Sequence, residues 1–200
     1  MSTTTQKLLL PQAQRLAARL VELFSPHSDL IDIAGSVRRE KPEVGDIEIV
    51  CYPKKIQTGF LGLSTAIHPQ FFVVLSQFKR LLGKPENPDA RYFKYEIPCE
   101  KGSLRTICLD LFIPQLFDYY RQLAIRTGSS DYSKNVIATG WRKKGWVGTE
   151  EGLRREEEVS KKGDKWVCDV QDYTPPPVWK SEQEFFEWLD IKYLEPKNRQ

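Results

Sequence analysis

The sequence predicts an α+β fold in two parts, a larger domain over residues 1–126 and a small α+β subdomain over 127–200. Three observations predict it. Acidic and apolar residues alternate from Asp46 to Cys51, and a second apolar stretch brackets Asp110 between Leu109 and Leu111, which is strand patterning. Apolar stripes at helical spacing lie before and between these strands. Near Thr127 the pattern is interrupted by Gly128, Ser129 and Ser130, which sets the boundary.

Taken in order, Pro11 opens a first amphipathic helix in which Leu16, Leu20, Leu23 and Phe24 recur on one face. Ser25, Pro26 and Ser28 break it, and Leu30 to Ala34 is a short apolar strand ending at Gly35. The Asp46 to Cys51 strand follows. Pro53 to Ser64, rich in Gly, Lys and Thr, is expected to be a loop. Phe71, Val74, Leu75, Phe78, Leu81 and Leu82 form another helical stripe stopping at Gly83, with a turn marked by Pro85, Pro88 and Asp89. Strands over Tyr92 to Ile97 and Leu104 to Phe112 make a hairpin around Glu100 to Ser103, and Pro114 starts a helix reaching Ile125. Beyond the boundary the pattern predicts a helix from Asp131 to Lys144, a charged stretch poor in strands, and a hairpin turning at Lys162 to Asp164. The Pro175, Pro176, Pro177 run precedes a last helix from Ser181 to Asp190, opened by a Ser181 and Glu184 capping box.

Composition narrows the function classes. Two hundred residues, 40% apolar, can bury a core, and a net charge of +3 makes any contact with polyanions local rather than global. Cysteines at 51, 99, 108 and 168 form no CxxC pair, and His27 and His68 stand at no metal-ligand spacing, which argues against structural zinc. No charged leader or membrane-length apolar run is present, so the expectation is a reducing, intracellular setting with no membrane partner.

The chemistry-bearing feature is Asp46-Ile47-Glu48-Ile49-Val50. Side chains two apart on a strand share a face, so both acids project together while Ile47 and Ile49 face the core. Asp110 repeats the arrangement, and three such carboxylates repel one another unless cations neutralise them; hard oxygen ligands suit Mg2+. An ordinary wet strand face is the competing explanation. Upstream, Gly35-Ser36-Val37-Arg38-Arg39 combines a close-approach glycine, a hydroxyl donor and guanidinium forks matched to phosphate.

Gly35-Ser36-Val37-Arg38-Arg39 followed by Gly45-Asp46-Ile47-Glu48 resembles the motif of family X DNA polymerases and the wider beta-type nucleotidyltransferases. Arg126-Thr127-Gly128-Ser129, with Thr127 seventeen residues after Asp110, resembles the turn joining the palm to the nucleotide-selecting subdomain in that family. The C-terminal segment, with Phe185, Phe186, Trp188, Tyr193, Glu195 and Pro196, resembles the family's end, so the likeness runs from about Leu10 to Arg199. It implies a palm with a mixed sheet and flanking helices over 1–126 and a thumb-like subdomain over 127–200.

The resemblance further implies that Asp46, Glu48 and Asp110 ligate two Mg2+, for which Mn2+ can substitute, around a nucleoside triphosphate and a primer 3'-hydroxyl. Gly35, Ser36 and Arg39 would hold the triphosphate; Thr127, Gly128, Ser129, Ser130 and Ser133 would bind the nucleotide. Lys134, Arg142, Lys143 and Lys144 would contact DNA, joined by Arg154, Arg155, Lys161 and Lys162. For Arg38 an ordinary surface role stands beside phosphate contact, and for Ser130 and Ser133 helix N-capping stands beside base contact. The implied activity is template-directed addition of deoxynucleotides in gap-filling repair, on a gapped duplex or primer-template, by a monomer of bacterial or viral origin, cytoplasmic or otherwise intracellular. With only Lys7 ahead of the first helix, no lyase activity is expected.

Several residues depart from the family pattern. Glu48 stands where DNA polymerase beta has aspartate, and Cys108 replaces an arginine that orients the third carboxylate, a role Arg105 could take. Ile125 and Arg126 replace the aromatic pair near the sugar. These departures keep open a template-independent or non-DNA nucleotidyltransferase, and a catalytically idle module binding nucleic-acid ends.

Overall fold

The computed structural model describes residues 7–59, 63–84, 90–100 and 102–200. It divides into two compact units, Met1–Pro114 and Gln115–Gln200. This division falls ahead of the boundary expected at Thr127, because the helix preceding Thr127 packs with the C-terminal core.

The first unit opens with β1 (Leu8–Leu9) and α1 (Leu10–Phe24). The helix starts as the sequence requires: Pro11 sits in its first turn and the Gln12 side chain accepts the Leu9 N–H. Ala13, Leu16, Ala17, Leu20 and Phe24 form its buried stripe, and Pro26 prevents its continuation. There follow β2 (Ser28–Ile33), the single-turn helix α2 (Gly35–Arg38), β3 (Glu43–Val44) and β4 (Asp46–Pro53). Next come β5 (Lys55–Thr58), β6 (Ser64–Ile67), α3 (Pro69–Leu75), β7 (Lys79–Leu82), β8 (Tyr92–Pro98) and β9 (Thr106–Phe112).

Five of these strands make one mixed sheet in the order β2-β4-β9-β8-β7, with β4 and β9 parallel at its centre and the other pairs antiparallel. Ile47 and Ile49 on β4 and Leu109 and Leu111 on β9 are fully buried in one core with the α1 stripe, Phe71, Phe93 and Tyr95. The period of two then leaves Asp46, Glu48 and Asp110 on the opposite face of the central strands.

Two expectations for this unit are corrected. The stripe ending in Leu81 and Leu82 is not one helix: α3 stops at Leu75, where the Ser76 and Gln77 side chains bond back to the carbonyls of Val73 and Val74, and both leucines sit exposed on the edge strand β7. The span Pro53 to Ser64 is not all loop, since β5 and β6 pair as a two-stranded ribbon apart from the main sheet. Residues 60–62 of that span, and the turn assigned to Pro85, Pro88 and Asp89, lie outside the described residues.

The second unit contains α4 (Tyr119–Thr127), then α5 (Ser130–Tyr132), a π-helical turn (Ser133–Ile137) and α6 (Ala138–Lys143), which together supply the helix expected from Asp131. Strands β10 (Trp146–Thr149) and β11 (Gly152–Arg155) form one hairpin, β12 (Val159–Lys162) and β13 (Lys165–Cys168) another, and α7 (Glu182–Trp188) closes the chain. The stretch expected to be poor in strands therefore carries β10 and β11, while β12 and β13 are the hairpin expected to turn at Lys162 to Asp164. Its core is aromatic: Trp179 packs against Phe185 and Trp188 at 4.8 and 5.1 Å between ring centres, with Trp141, Trp146, Phe186 and Leu189 around them. Ser181 caps α7 by accepting the Glu184 N–H, but the Glu184 carboxylate accepts from Lys180 N–H instead of Ser181's own. No described helix is long and apolar enough to cross a membrane.

Candidate active site

Register fixes the acids. β4 and β9 run parallel with Glu48 opposite Asp110 and Asp46 opposite Cys108, so the three carboxylates stand on one sheet face within two strands. Asp110 is 7% exposed and does not face that environment alone. Lys94 lies directly across the β8–β9 ladder, its ammonium 3.1 Å from Oδ1 and 3.4 Å from Oδ2, and the Tyr92 hydroxyl donates to Oδ1.

These two residues, unassigned by the sequence, are the ones that engage the Asp110 carboxylate. Arg105 does not substitute: its guanidinium donates to the Lys7 carbonyl, on the side of α1. The signal for Lys94 is present in the chain, since Tyr92, Lys94 and Glu96 alternate with buried Phe93, Tyr95 and Ile97 and so share the acid-bearing face.

Asp46 is held above the ordinary carboxylate range, by burial first and by the Asp110 charge second, with Lys94 and Arg39 pulling the other way. Burial works to lower Lys94, but the Asp110 hydrogen bond and charge, with Cys108 and Asp46 behind them, outweigh it and raise it. Cys108 is also raised, chiefly by burial. The Lys94 ammonium thus acts on both Asp110 and Asp46, with the Arg39 charge a second cation acting on Asp46.

The Gly35 turn closes one side. Gly35 has φ +61°, and a methyl there would come within 1.8 Å of Glu48 Oε2, so only glycine lets the Glu48 side chain lie against this backbone. β2 leads into it, and the Ala34 N–H bonds the Glu48 carbonyl at 2.9 Å, tying turn to strand. Ser36 Oγ is buried with no hydrogen-bond partner among the described residues, a donor that a phosphate oxygen would satisfy. Arg39, which caps α2, brings its charge to bear on Asp46 from the same turn.

Among the described residues no three acid, cysteine or histidine side chains converge closely enough to enclose a metal ion as they stand. Glu48 is turned over Gly35 and Asp110 is engaged by Lys94 and Tyr92. The donor set still fits hard divalent cations: all three candidate ligands are carboxylates on one face, and the Asp110 charge adds to the cost of ionising Asp46.

The residues assigned to nucleotide and DNA contact in the second unit are spread over several of its elements. Thr127 and Gly128 are buried at the end of α4, where a methyl on Gly128 would meet Ser133 Oγ at 2.7 Å. The cap of α5 is Ser129, whose hydroxyl accepts the Tyr132 N–H; Ser133 instead donates to the Ile125 carbonyl at 2.7 Å, and Ser130 is exposed. Lys134 and Arg142 are exposed and so is Lys143, while Lys144 pairs with Asp190 at 2.5 Å. Lys161 and Lys162 sit on β12, Lys162 paired with Asp169 at 3.0 Å. Arg154 is no surface cation: it is 2% exposed, bonded to the Leu153 carbonyl and 3.8 Å from the Tyr173 ring centre. Arg155 packs over Trp146 at 4.3 Å.

Residues 122–200 match the family model of the DNA polymerase beta thumb. The fold is similar to the crystal structure of Leishmania infantum polymerase beta, described as a ternary gap complex, with TM-score 0.70 and 16% identity over 97% of this chain and 71% of that one. No curated protein matches the sequence.

Proposed function

We propose that this family X polymerase-like chain is a DNA-polymerase-type nucleotidyltransferase that adds deoxynucleotides to a primer 3'-hydroxyl in short gaps, with a palm over 1–126 and a thumb-like subdomain over 127–200. The observation that carries the reading is the placing of Asp46, Glu48 and Asp110 on one face of adjacent parallel strands, beside a Gly35-Ser36 turn whose buried hydroxyl has no hydrogen-bond partner among the described residues.

Each residue has a physical task in this reading. Ser36 Oγ and Arg39 bind the triphosphate tail, fixing the α-phosphate for in-line attack. Gly35 gives Glu48 the room to approach that turn. Lys94 and Tyr92 hold the Asp110 carboxylate in one orientation, so it is pre-positioned when substrate arrives. Asp46, Glu48 and Asp110 would hold two Mg2+, which when bound stabilise the attacking and leaving oxygens.

The test is primer extension across a one-nucleotide gap with Mg2+. Extension is expected to follow the template base and to fall by roughly 10^3-fold or more in Asp110→Asn, since several kcal/mol of transition-state stabilisation depend on the charge. Incorporation indifferent to the template base would refute the DNA-directed reading in favour of a template-independent transferase. That alternative draws on Ser133, whose hydroxyl is spent on the Ile125 carbonyl and not on a base. An idle end-binding module is the outcome if a nucleoside triphosphate with Mg2+ gives no thermal stabilisation that Asp46→Ala removes.

A further inference from the structure

The first unit holds a second concave feature, on the α1 side of the sheet and apart from the acids. Gln12, Arg15 and Arg19 of α1 and Ser103 and Arg105 of the β8–β9 hairpin line a recess of about 260 Å³, with Glu100 as its acidic member. Arg15 and Arg19 are four residues apart, so both guanidiniums project from the same helix face. Both are exposed, and neither forms an ion pair or hydrogen bond with any described residue.

Arg105 is held differently. One of its terminal nitrogens donates to the Lys7 carbonyl at 2.7 Å, its backbone N–H bonds Ser103 Oγ at 3.0 Å, and its Nε is buried with no hydrogen-bond partner among the described residues. A buried donor left unsatisfied costs free energy that an anion would recover. Three guanidiniums against one carboxylate give a net positive lining. The recess is below the roughly 300–1,000 Å³ of sites that enclose a drug-sized molecule, and suits a small tetrahedral oxyanion. Guanidinium forks match such an anion in geometry as well as charge.

We infer that this recess binds a phosphate group of a nucleic-acid strand, at a place on the palm-like unit separate from the carboxylate site. The source of the phosphate rests on the polymerase-type reading; the anion preference of the recess does not. Phosphate contacts position a strand without reading sequence, and their number sets the salt dependence of binding.

The test measures equilibrium binding of a one-nucleotide gapped duplex, in EDTA and without nucleotide, across a salt series. Wild type is compared with Arg15→Gln/Arg19→Gln, whose changes lie on an exposed helix face and keep good helix formers. At roughly 0.1 M KCl the double variant should bind about tenfold more weakly, and its log–log salt slope should be shallower by about 0.9 for every phosphate it no longer neutralises. Arg105→Lys, which keeps the charge but removes the fork, should bind with intermediate strength. Unchanged affinity and slope in the double variant overturns the inference. Inorganic phosphate is the second arm: if it raises the wild-type melting temperature, and not the variant's, while duplex affinity is equal in both, the recess holds free phosphate and the strand assignment is wrong. The two readings fail separately. A wild type that does not extend primers while the double variant shows the binding defect sinks the polymerase-type reading alone; normal extension with no binding defect sinks the recess alone.

Discussion

Each unit buries a carboxylate beside a cation, and the two pairs are built to opposite ends. In the C-terminal unit Glu182 meets Arg199 at 2.7 Å with 5% and 0% of the side chains exposed. The arginine is further bonded to the Leu194 carbonyl and packed against the rings of Phe186 and Tyr193, 4.8 and 5.0 Å from their centres. In the N-terminal unit Asp110 meets Lys94 at 3.1 Å, but the lysine side chain is 28% exposed and its charge also acts on Asp46. A closed pair with a rigid planar cation fastens a chain end. An open pair built on a flexible lysine stem can be rearranged by an incoming cation, which is what the proposed two-metal site needs.

The largest effect expected from breaking this contrast is on the closed pair. Arg199→Ala deprives Glu182 of its cation in a buried setting and should destabilise the C-terminal unit by about 3–5 kcal/mol. It also strips the ring packing that holds the last turn, where Ser129 N–H bonds the Arg199 carbonyl at 2.9 Å. Urea titration followed by tryptophan fluorescence reads it directly, because four of the five tryptophans, 141, 146, 179 and 188, lie in or against this core. Arg199→Met with Glu182→Leu, which removes both charges, should recover much of the stability; equal destabilisation by single and double changes would show that packing, not charge, holds the end.

Two glycines sharpen the comparison at a smaller scale. Gly35→Ala imposes a left-handed backbone on alanine, costing about 1–2 kcal/mol, and also drives the new methyl into Glu48. Gly140, inside α6, has no such backbone demand, and a methyl there meets the flexible ends of Ile191 and Leu189 at 2.8 and 3.0 Å. Gly35→Ala should therefore reduce primer extension far beyond its effect on stability, whereas Gly140→Ala should change melting temperature alone. Extension rates measured at a temperature where both variants are folded separate the two outcomes.

How much of this is legible in the sequence depends on the range over which each feature is fixed. The acids are legible because a period of two is local: Asp46, Glu48 and Asp110 need only their flanking Ile47, Ile49, Leu109 and Leu111 to settle which way they point. α1 is legible for the same reason. Lys94 is only half legible. Alternation puts it on the wet face, but its partner depends on hairpin register, and one residue more or less between Pro98 and Thr106 would set a different residue opposite Asp110. β10 and β11 are hidden because Arg154, an interior residue here, has the composition of a surface. The stripe through Leu81 and Leu82 misleads because leucines at helical spacing fit an exposed edge strand equally well.

The smallest effect in stability is the most informative about the open pair. Lys94→Met should cost about 1 kcal/mol or less without metal, because the ammonium is partly solvated and such pairs contribute little. Its consequence lies in the response to divalent ions. With the ammonium gone, Asp46 and Asp110 lose a cation that acts on both, so Mg2+ titration should raise the melting temperature of Lys94→Met more than that of wild type. Primer extension should nonetheless fall, with kcat lowered more than KM for the nucleotide, since Asp110 is no longer held in one orientation. Lys94→Arg, which restores the charge and can still reach both oxygens, should return most of kcat. A Lys94→Met protein with the wild-type response to Mg2+ and unaltered kcat would mean that the Lys94–Asp110 pair is a surface ion pair like any other, and that the open geometry around Asp110 has no bearing on the site.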